Sequence, residues 1–422
     1  MPTSPSLPVA DAAPPPVAPG LAVLVLVLVL ALALALLLLL SIQPVTTDLY
    51  LPALPALTQD LRAPVASAQL TLSALLPAFG GSQLVWGPLS DRIGRRPVLL
   101  AGLGIYVAAS LGSVAAPSMD LLILWRVAQG TAMGAVVMAG RAIVRDLYAP
   151  PAGARAMSRA LTGLGLIACL CAPLGGWLTE WLGWRAALSV LAAYGAATLA
   201  LVALRLPETL ARRNPFALRP ATLWRTWRTV LGHPTFWAFS LLTTASYGGL
   251  FTFLASSPFI FIEVLGASRT QYGLALLSTA FAYLLGTLLC RRLLERLGLR
   301  RTVAAGAALT GTGGVLLAAL ALAGWRSPWA LLLPFHAYML GHGIHQPCGQ
   351  TGAVGPFPQA AGVASAMNGF MMMLAAFAIG RWVGWRLDGS VWPLVQGVAF
   401  WAGALALVAW TLVQRFGEER QP

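Results

Sequence analysis

Runs of about twenty apolar residues follow one another along nearly the whole chain, and they constrain its fold more than any other feature. A helix needs roughly 20 such residues to cross the hydrocarbon core of a bilayer, and about twelve runs reach this length. Only 9% of the 422 residues are charged, whereas soluble domains carry about 25%. So few charges cannot cover a water-facing surface. We therefore predict an all-α polytopic membrane protein.

The apolar runs form two groups of six. Their approximate ranges are 21–50, 67–89, 97–116, 120–145, 158–180, 186–206, 234–262, 270–290, 302–323, 329–349, 360–384 and 391–414. The longest polar interruption separates the groups, and the first twenty residues are rich in Pro. The predicted organisation is a disordered tail (1–20), a six-helix bundle (21–206), a linker (207–233), a second six-helix bundle (234–416) and a C-terminal tail (417–422).

All 27 basic residues are Arg, and their positions follow the predicted spans. Nineteen fall in segments that the alternation of spans places on the side of the linker, six fall on the other side, and Arg126 and Arg141 lie within spans. Loops rich in basic residues stay in the cytoplasm, so we expect the linker and both termini to be cytoplasmic. A net charge of +14 also occurs in nucleic-acid-binding proteins. Short Arg clusters between apolar runs instead favour a protein in contact with lipid, without nucleic acid.

An internal repeat links the two groups of spans. Residues 91–96 (DRIGRR) follow the second span, and residues 295–301 (ERLGLRR) follow the eighth. Both segments have an acid, an Arg, a branched apolar residue, a Gly and then paired basic residues, at an offset of 204 residues. Two six-helix halves in the same orientation are a recognised plan of secondary transporters.

Residues 87–97 (GPLSDRIGRRP) resemble the signature loop between the second and third helices of major facilitator transporters. In this loop Gly87 permits close helix approach and Gly94 a tight turn, while Asp91 can pair with a local Arg or sit at a helix N-terminus. The resemblance implies twelve transmembrane helices in two pseudo-symmetric six-helix bundles around a central cavity. It also implies a gating loop whose contacts form in one transport state and break in the other. The candidate gating residues are Gly87, Asp91, Arg92, Gly94, Arg95 and Arg96.

The fourth span carries charges, which are expensive within a membrane and usually face a cavity or a partner. In the family, the Arg of residues 126–130 (RVAQG) lies near the proton or substrate route, although Arg126 is close enough to the span's end to snorkel to the interface. Residues 141–148 (RAIVRDLY) resemble the bicyclomycin- and chloramphenicol-resistance (Bcr/CflA-like) branch of drug/proton antiporters. The resemblance places Asp146 at the cytoplasmic mouth, where Arg92 or Arg95 is its expected partner. Arg141 either faces the cavity or forms a structural ion pair.

Asp48 lies in the segment 46–55 (TTDLYLPALP) at the end of the first span. In the same branch this pattern closes the first helix, and its acid faces the central cavity. The alternative is an ordinary exit loop, because residues 21–42 are already long enough to span. A partly desolvated carboxyl can bind a proton on one side and release it on the other. Asp48 is therefore the favoured proton carrier, with Asp146 as the alternative, and Arg126 and Arg141 are possible charge partners of Asp48.

Two further spans resemble this branch. Residues 172–177 (APLGGW) are similar to the antiporter motif of the fifth helix, through Pro173, Gly175 and Gly176. Ala172 replaces the first Gly of that motif and the Gly pair comes one residue early, which weakens the inference of antiport but not of transport. Residues 246–263 resemble the seventh helix of the branch and its exit, and their aromatic side chains suit stacking on hydrophobic drugs.

The remaining polar groups do not indicate a metal or a cofactor. His342 and His345 are spaced to share a helix face, but no further ligands are placed to complete a metal site. Their alternatives are polar packing and a pH-responsive cavity role. The four Cys residues fall in apolar stretches and are interpreted as packing residues.

Taken together, the resemblances imply a proton-coupled multidrug exporter. It would act as a monomer in the bacterial inner membrane and move small, largely hydrophobic drugs in exchange for protons by alternating access, without a cofactor. The first alternative is an exporter of one specific metabolite. The second is a membrane-embedded enzyme acting on lipids, which should show His residues and acids clustered at one interface. The chain also lacks a phosphate-binding Gly-Lys-Ser/Thr loop, so ATP hydrolysis is not expected.

Overall fold

The computed structural model describes residues 19–148, 150–215 and 217–417, and every regular element in these ranges is helical. Twelve long helices correspond to the predicted spans. Their bounds are Pro19–Asp48 (α1), Val65–Ser73 continued by Leu75–Ile93 (α2), Arg95–Val114 (α3), Met119–Leu147 (α4), Pro150–Leu182 (α5), Trp184–Arg205 (α6), Pro234–Phe259 (α7), 269–297 (α8), 299–322 (α9), Pro328–Val354 (α10), Ala361–Arg386 (α11) and Trp392–Trp410 (α12). The helices α8 and α9 form one continuous stretch, Arg269–Leu322, that is kinked at Gly298.

Nine stretches of the described chain are long and apolar enough to cross a membrane, with α8 and α9 counted as one. The two long helices outside this set, α2 and α10, are interrupted or more polar in sequence; α10 alone carries three His residues. The predicted all-α membrane fold is confirmed. Residues 1–18 and 418–422, which cover most of the two predicted tails, lie outside the described residues.

Short polar caps explain where several helices begin. Ser118, Ser268 and Ser327 each accept a hydrogen bond from the backbone N–H three residues later, at the starts of α4, α8 and α10. At Ser268 the cap is reciprocal, because the side chain of Gln271 accepts from the Ser268 backbone N–H at 2.9 Å. Such caps satisfy N–H groups that have no partner within the helix.

The first helix ends where its backbone can no longer continue regularly. Pro44 lies inside α1, and the hydroxyl of Thr46 donates to the carbonyl of Ile42, four residues earlier, at 2.6 Å. In an apolar medium such bonds satisfy backbone oxygens that water cannot reach. A 3-10 turn (Leu51–Ala53) and a short helix (Leu54–Asp60) then lead to α2. Asp48 is therefore the last residue of α1, at the start of a compact turn.

The first half (α1–α6) and the second half (α7–α12) meet along two helix pairs, α5 with α8 and α2 with α11. Small residues make both contacts close. A Cβ placed on Gly273 of α8 would lie 2.6 Å from the carbonyl oxygen of Ala172 in α5, and one placed on Gly384 of α11 would lie 3.0 Å from the Cα of Ala66 in α2. These approaches lie near the end of the molecule opposite the linker, so the halves are tightly closed there.

The linker between the two halves contains regular structure. It contains a helix, Pro220–Leu231, whose Val230 is buried in the core of the second half while Trp224 is 67% exposed. Upstream, the backbone N–H of Asn214 donates to the carbonyl of Asp91 at 2.9 Å. The linker thus contacts the signature loop directly, and the end of the molecule that holds both is called the linker end below.

Candidate functional site

A cavity of about 310 Å³ lies between the two halves, at the low end of the range for small-molecule sites. Its walls are mostly apolar or aromatic, with a few polar groups. They are formed by Gln43, Pro44, Thr47, Asp48, Leu51, Leu72, Leu76, Leu164, Ala168 and Ala172 of the first half, and by Tyr247, Leu250, Phe251, Leu254, Leu276, Thr279, Ala280, Tyr283, Met339 and His342 of the second. We call this space the central cavity.

Asp48 is the acidic residue in this wall. Its carboxylate accepts a hydrogen bond from the hydroxyl of Thr47 at 2.8 Å, and no ion pair reaches it from the described residues. The cavity alternative for Asp48 therefore fits the structure and the exit-loop alternative does not. The expectation that Arg126 or Arg141 pairs with Asp48 is wrong.

Arg126 is enclosed rather than exposed at an interface. It is 0% exposed, and its guanidinium donates to the carbonyls of Thr71 and Thr46, at 3.2 and 3.0 Å, and to the side chain of Gln129 at 2.5 Å. It also stacks on the ring of Tyr50, 4.3 Å from the centroid. The alternative that Arg126 snorkels to the membrane interface is therefore wrong. Arg126 thus ties α4 to α2 and to the end of α1. Its contact in α1 is the carbonyl of Thr46, two residues before Asp48, so Arg126 can position the acid without touching it.

Arg141 lies four turns further along α4, nearer the linker end. Its side chain is exposed, and within the described residues it makes no hydrogen bond or ion pair. The structural ion pair considered from the sequence is therefore wrong. Arg141 is not part of the wall of the central cavity, and its guanidinium is exposed near the linker end of α4.

The signature loop is built around Arg95, whose side chain is only 5% exposed. Its guanidinium contacts Asp91 at 2.6 Å, the hydroxyl of Ser90 at 2.5 Å and Asp146 of α4 at 2.8 Å. Of the two partners expected for Asp146, Arg95 is the one found, whereas Arg92 is exposed. Charge-assisted bonds from one guanidinium to two separate carboxylates fix the position of both acids. All of these residues belong to the first half, so this cluster joins α2, α3 and α4 to one another.

Gly94 and Gly87 differ in what they contribute. Gly94 has φ = 115°, a backbone conformation that L side chains rarely adopt, and it separates α2 from α3 in one sharp turn. A Cβ on Gly87 would meet only the sulfur of Met138, at an ordinary 3.9 Å. The expectation that Gly87 permits close helix approach is therefore wrong. Gly134 of α4 does so instead, because a Cβ there would lie 2.9 Å from the carbonyl of Phe79.

Glu208 completes the loop, and it was not found from the sequence. Its carboxylate accepts from the backbone N–H groups of Arg95 and Arg96, at 2.9 and 3.2 Å, at the positive end of α3. Partial burial opposes ionisation of Glu208, but its bonds from backbone N–H groups outweigh this and hold its pKa below the usual range. Arg96 also donates to the carbonyl of Ala203 in α6 at 2.9 Å. The only signal in the sequence was an acid directly after Pro207, where the sixth span ends.

The glycine pair of α5 lies at two different contacts. A Cβ on Gly175 would collide with the carbonyl of Leu49, next to Asp48, and one on Gly176 would collide with the carbonyl of Arg269 at the start of α8. Pro173, which precedes the glycine pair by two residues, is accommodated within α5. The motif therefore sets both the packing behind the cavity acid and the contact between the halves.

The two His residues of α10 have different surroundings. His342 lines the central cavity and its Nδ1 lies 2.8 Å from the hydroxyl of Ser246 in α7. His345 is 0% exposed, and its Nε2 lies 3.2 Å from the carbonyl of Val303. Within the described ranges, no group of three or more potential metal ligands comes together.

Comparison with known proteins decides the family. The model of the Major Facilitator Superfamily matches residues 36–380. The chain belongs to this superfamily. It is 30% identical over 322 residues to Multidrug resistance protein D of Escherichia coli (strain K12), which covers 76% of the chain and 80% of that protein. It is also 28% identical to a Chloramphenicol resistance protein of Pseudomonas aeruginosa, with 82% of each protein covered.

A Bicyclomycin resistance protein homolog of Haemophilus influenzae is 26% identical, with 87% of this chain and 91% of that protein covered. Among solved structures, a D-xylose-proton symporter superposes with a TM-score of 0.73 at 15% identity, over 91% of this chain and 97% of that one. This likeness shows the fold alone. The predicted major facilitator fold and the resemblance to the drug-resistance branch are confirmed. The protein is a multi-pass membrane transporter, and the lipid-modifying enzyme considered from the sequence is the wrong class.

Proposed function

We propose that this major facilitator protein exports small, largely hydrophobic drugs from the bacterial cytoplasm in exchange for protons, as a monomer that alternates access to the central cavity. The names of its relatives support drugs as the substrate class. The observation that carries the proposal is the placement of Asp48. Its carboxyl, which has no cationic partner among the described residues, lies in a mostly apolar wall between the two halves.

Such a carboxyl suits exchange for a physical reason. Transfer of an unpaired carboxylate into an apolar environment is costly, so the acid favours either a proton or a positively polarised ligand. A proton and a substrate would therefore compete for Asp48, and this competition couples their movements. Arg126 serves as a positioning residue, because it anchors the end of α1 without neutralising the acid.

The linker end supports the gating part of the proposal. The Arg95 cluster makes α2, α3 and α4 a single unit, so that the first half moves as a rigid body. Arg145 of α4 approaches the start of α11, where a Cβ on Gly362 would lie 3.5 Å from its Nη1. Arg141 and Asp146 lie along the same helix and mark the route by which solutes enter.

The proposed orientation places the linker 207–233 and both termini in the cytoplasm, and the Arg distribution supports it. A reporter that is active only in the periplasm, fused after Pro422, should remain silent, while one that is active only in the cytoplasm should give signal. The reverse result would overturn this topology.

The main test is proton release by the purified protein in detergent. A neutral drug added to the wild type should release protons, and Asp48→Asn should still bind that drug but release none. Asp388→Asn is the control, because Asp388 lies in an exposed loop and its hydrogen-bond partner among the described residues is Ser390 of the same loop. Unchanged release from Asp48→Asn would remove Asp48 from the mechanism and make Asp146 the carrier.

A drug panel in an efflux-deficient bacterium addresses substrate range. Protection against several unrelated drugs by the wild type, and loss of protection against cationic drugs in Asp48→Asn, is the expected outcome. If the wild type protects against none of the panel while a single cellular metabolite accumulates outside the cells, the protein is a specific metabolite exporter instead.

A further inference from the structure

We propose that His342 and Asp48 form a two-point recognition site in the central cavity. The site takes small molecules that carry a hydrogen-bond acceptor at one end and a cation or hydrogen-bond donor at the other. This inference rests on the proposed function and narrows its substrate class. It assigns to the second half a recognition residue that faces the acid of the first half.

His342 is almost completely buried, at 3% exposed, yet it belongs to the cavity wall. Its Nδ1 is occupied by the hydroxyl of Ser246 at 2.8 Å. Its Nε2 makes no hydrogen bond with the described residues. This nitrogen is not enclosed by protein atoms, whereas the Nδ1 of His345 is. The open nitrogen of His342 therefore reaches the cavity space.

Ser246 determines which nitrogen carries the proton. The Ser246 side chain is fully buried, and its hydroxyl has no other hydrogen-bond partner among the described residues. A buried hydroxyl that donates to nothing is costly, so the hydroxyl donates to Nδ1. In a neutral imidazole the other nitrogen then carries the hydrogen. His342 thus presents Nε2–H to the cavity as a hydrogen-bond donor.

The two ends of the site have complementary chemistry. Asp48 offers an acceptor from α1, and His342 offers a donor from α10. Tyr247, Phe251 and Tyr283 supply aromatic surface to the same cavity, and the ring of Tyr283 lies 5.5 Å from that of His342. A ligand that satisfies both ends contacts both halves at once. Such a ligand favours the closed arrangement over either open one, which is the requirement for a substrate of alternating access.

The test uses two probes and measures their dissociation constants with the full-length protein in detergent. Chloramphenicol is neutral and carries nitro and carbonyl acceptors, as well as hydroxyl donors. Phenyltrimethylammonium is a small aromatic cation without an acceptor. We expect His342→Asn to raise the dissociation constant of chloramphenicol about five- to tenfold, which is the size of one lost hydrogen bond. The dissociation constant of the cation should stay within about twofold of the wild-type value.

The conservative variants separate recognition from packing. The amide of Asn can replace Nδ1 and bond to Ser246, but it is too short to reach the position of Nε2. In His342→Gln the amide N–H reaches that position, so chloramphenicol binding should recover to within about threefold of the wild type. His345→Asn is the matched control on the same helix, because His345 bonds to Val303 and does not line the cavity. His345→Asn should leave the dissociation constants of both probes unchanged.

Each other outcome has a defined meaning. Unchanged chloramphenicol affinity in His342→Asn, or equal weakening of both probes in His342→Asn and His345→Asn, would overturn the role of His342 while the drug-export proposal stands. Failure of the wild type to bind either probe would overturn the proposed drug function, and this inference with it. Two points of recognition are supported if Asp48→Asn loses its affinity for phenyltrimethylammonium while the affinity for chloramphenicol still depends on His342.

Discussion

The two copies of the internal repeat have nearly the same sequence but different surroundings. In the first copy, Gly94 is followed by the buried Arg95, which contacts Asp91 and Asp146. In the second copy, Gly298 also has a positive φ, 73°, but a Cβ there would meet no atom of the described residues within 4 Å. Glu295 is exposed and forms no ion pair with a described residue. The backbone turn is shared by the halves, and the ionic cluster is not.

One position accounts for most of this difference. At the repeat offset of 204 residues, Leu299 occupies the place of Arg95. Leu299 packs against the core of the second half, whereas Arg95 needs acids around it. The first half supplies these acids from α2 and α4, and Glu208 accepts the N–H groups at the start of α3. The comparison indicates that the repeat motif provides the turn. Acids from other segments then hold the loop of the first copy in one arrangement.

The largest expected effect comes from removing the guanidinium. Arg95→Met keeps the length of the side chain but leaves Asp146 and Asp91 without their partner. We expect a loss of about 2–3 kcal/mol in the free energy of unfolding, since hydrogen bonds to charged groups contribute about 1.5–3 kcal/mol, and a large loss of drug export. Leu299→Met is the matched control in the second copy and should cost under about 1.5 kcal/mol. Thermal unfolding in detergent, followed by Trp fluorescence, measures both; equal losses would contradict the asymmetry.

The turn glycines give the next effect. Gly94→Ala and Gly298→Ala both place a Cβ at positive φ, which costs on the order of 1–2 kcal/mol. At Gly94 the Cβ also collides with the carboxylate of Glu208, whereas at Gly298 it enters open space. Gly94→Ala should therefore lower the unfolding temperature more than Gly298→Ala. Equal losses would show that backbone strain alone governs both turns, and the opposite order would contradict a contribution from Glu208.

Asp91 should contribute less to stability, because its side chain is 46% exposed. Asp91→Asn keeps the shape but removes the charge that faces Arg95, and exposed ion pairs contribute about 0–1 kcal/mol. Export should fall strongly while membrane insertion stays normal, because the loop loses one of the contacts that hold its arrangement. Glu295→Gln in the second copy should change neither quantity. Full export by Asp91→Asn would count against a gating role.

The smallest effect concerns Glu208 and pH. Its carboxylate has a lowered pKa in the folded protein, so its contribution is present above the unfolded value of about 4.3 and is lost as the pH falls through the folded value. At neutral pH we expect Glu208→Gln to unfold more easily than the wild type by about 0.3–1 kcal/mol, near the lower figure because solvent screens an exposed group. Unfolding curves at a series of pH values should converge in acid. A constant difference down to pH 3 would show that the ionised carboxylate is not responsible.

The sequence by itself determined the helices, their grouping in two halves and the identity of the signature loop. These features depend on local patterns: apolar runs of a fixed length, positive φ at a Gly, and Pro at a helix end. It also indicated Asp48, because the end of α1 follows from Pro44 and the prolines after it. The branch resemblance then placed its acid toward the cavity.

The tertiary structure alone decided which polar groups meet. Arg126 contacts backbone 55 and 80 residues away, and Glu208 contacts N–H groups 113 and 112 residues before it. The rotation of each helix about its axis selects such partners, and packing against neighbouring helices sets that rotation. In α10, His342 bonds to Ser246 of α7 and lines the cavity, whereas His345 bonds to Val303 of α9 and is enclosed. Periodicity along one helix places both residues on one face, but only the neighbours α7 and α9 determine which of them reaches the cavity.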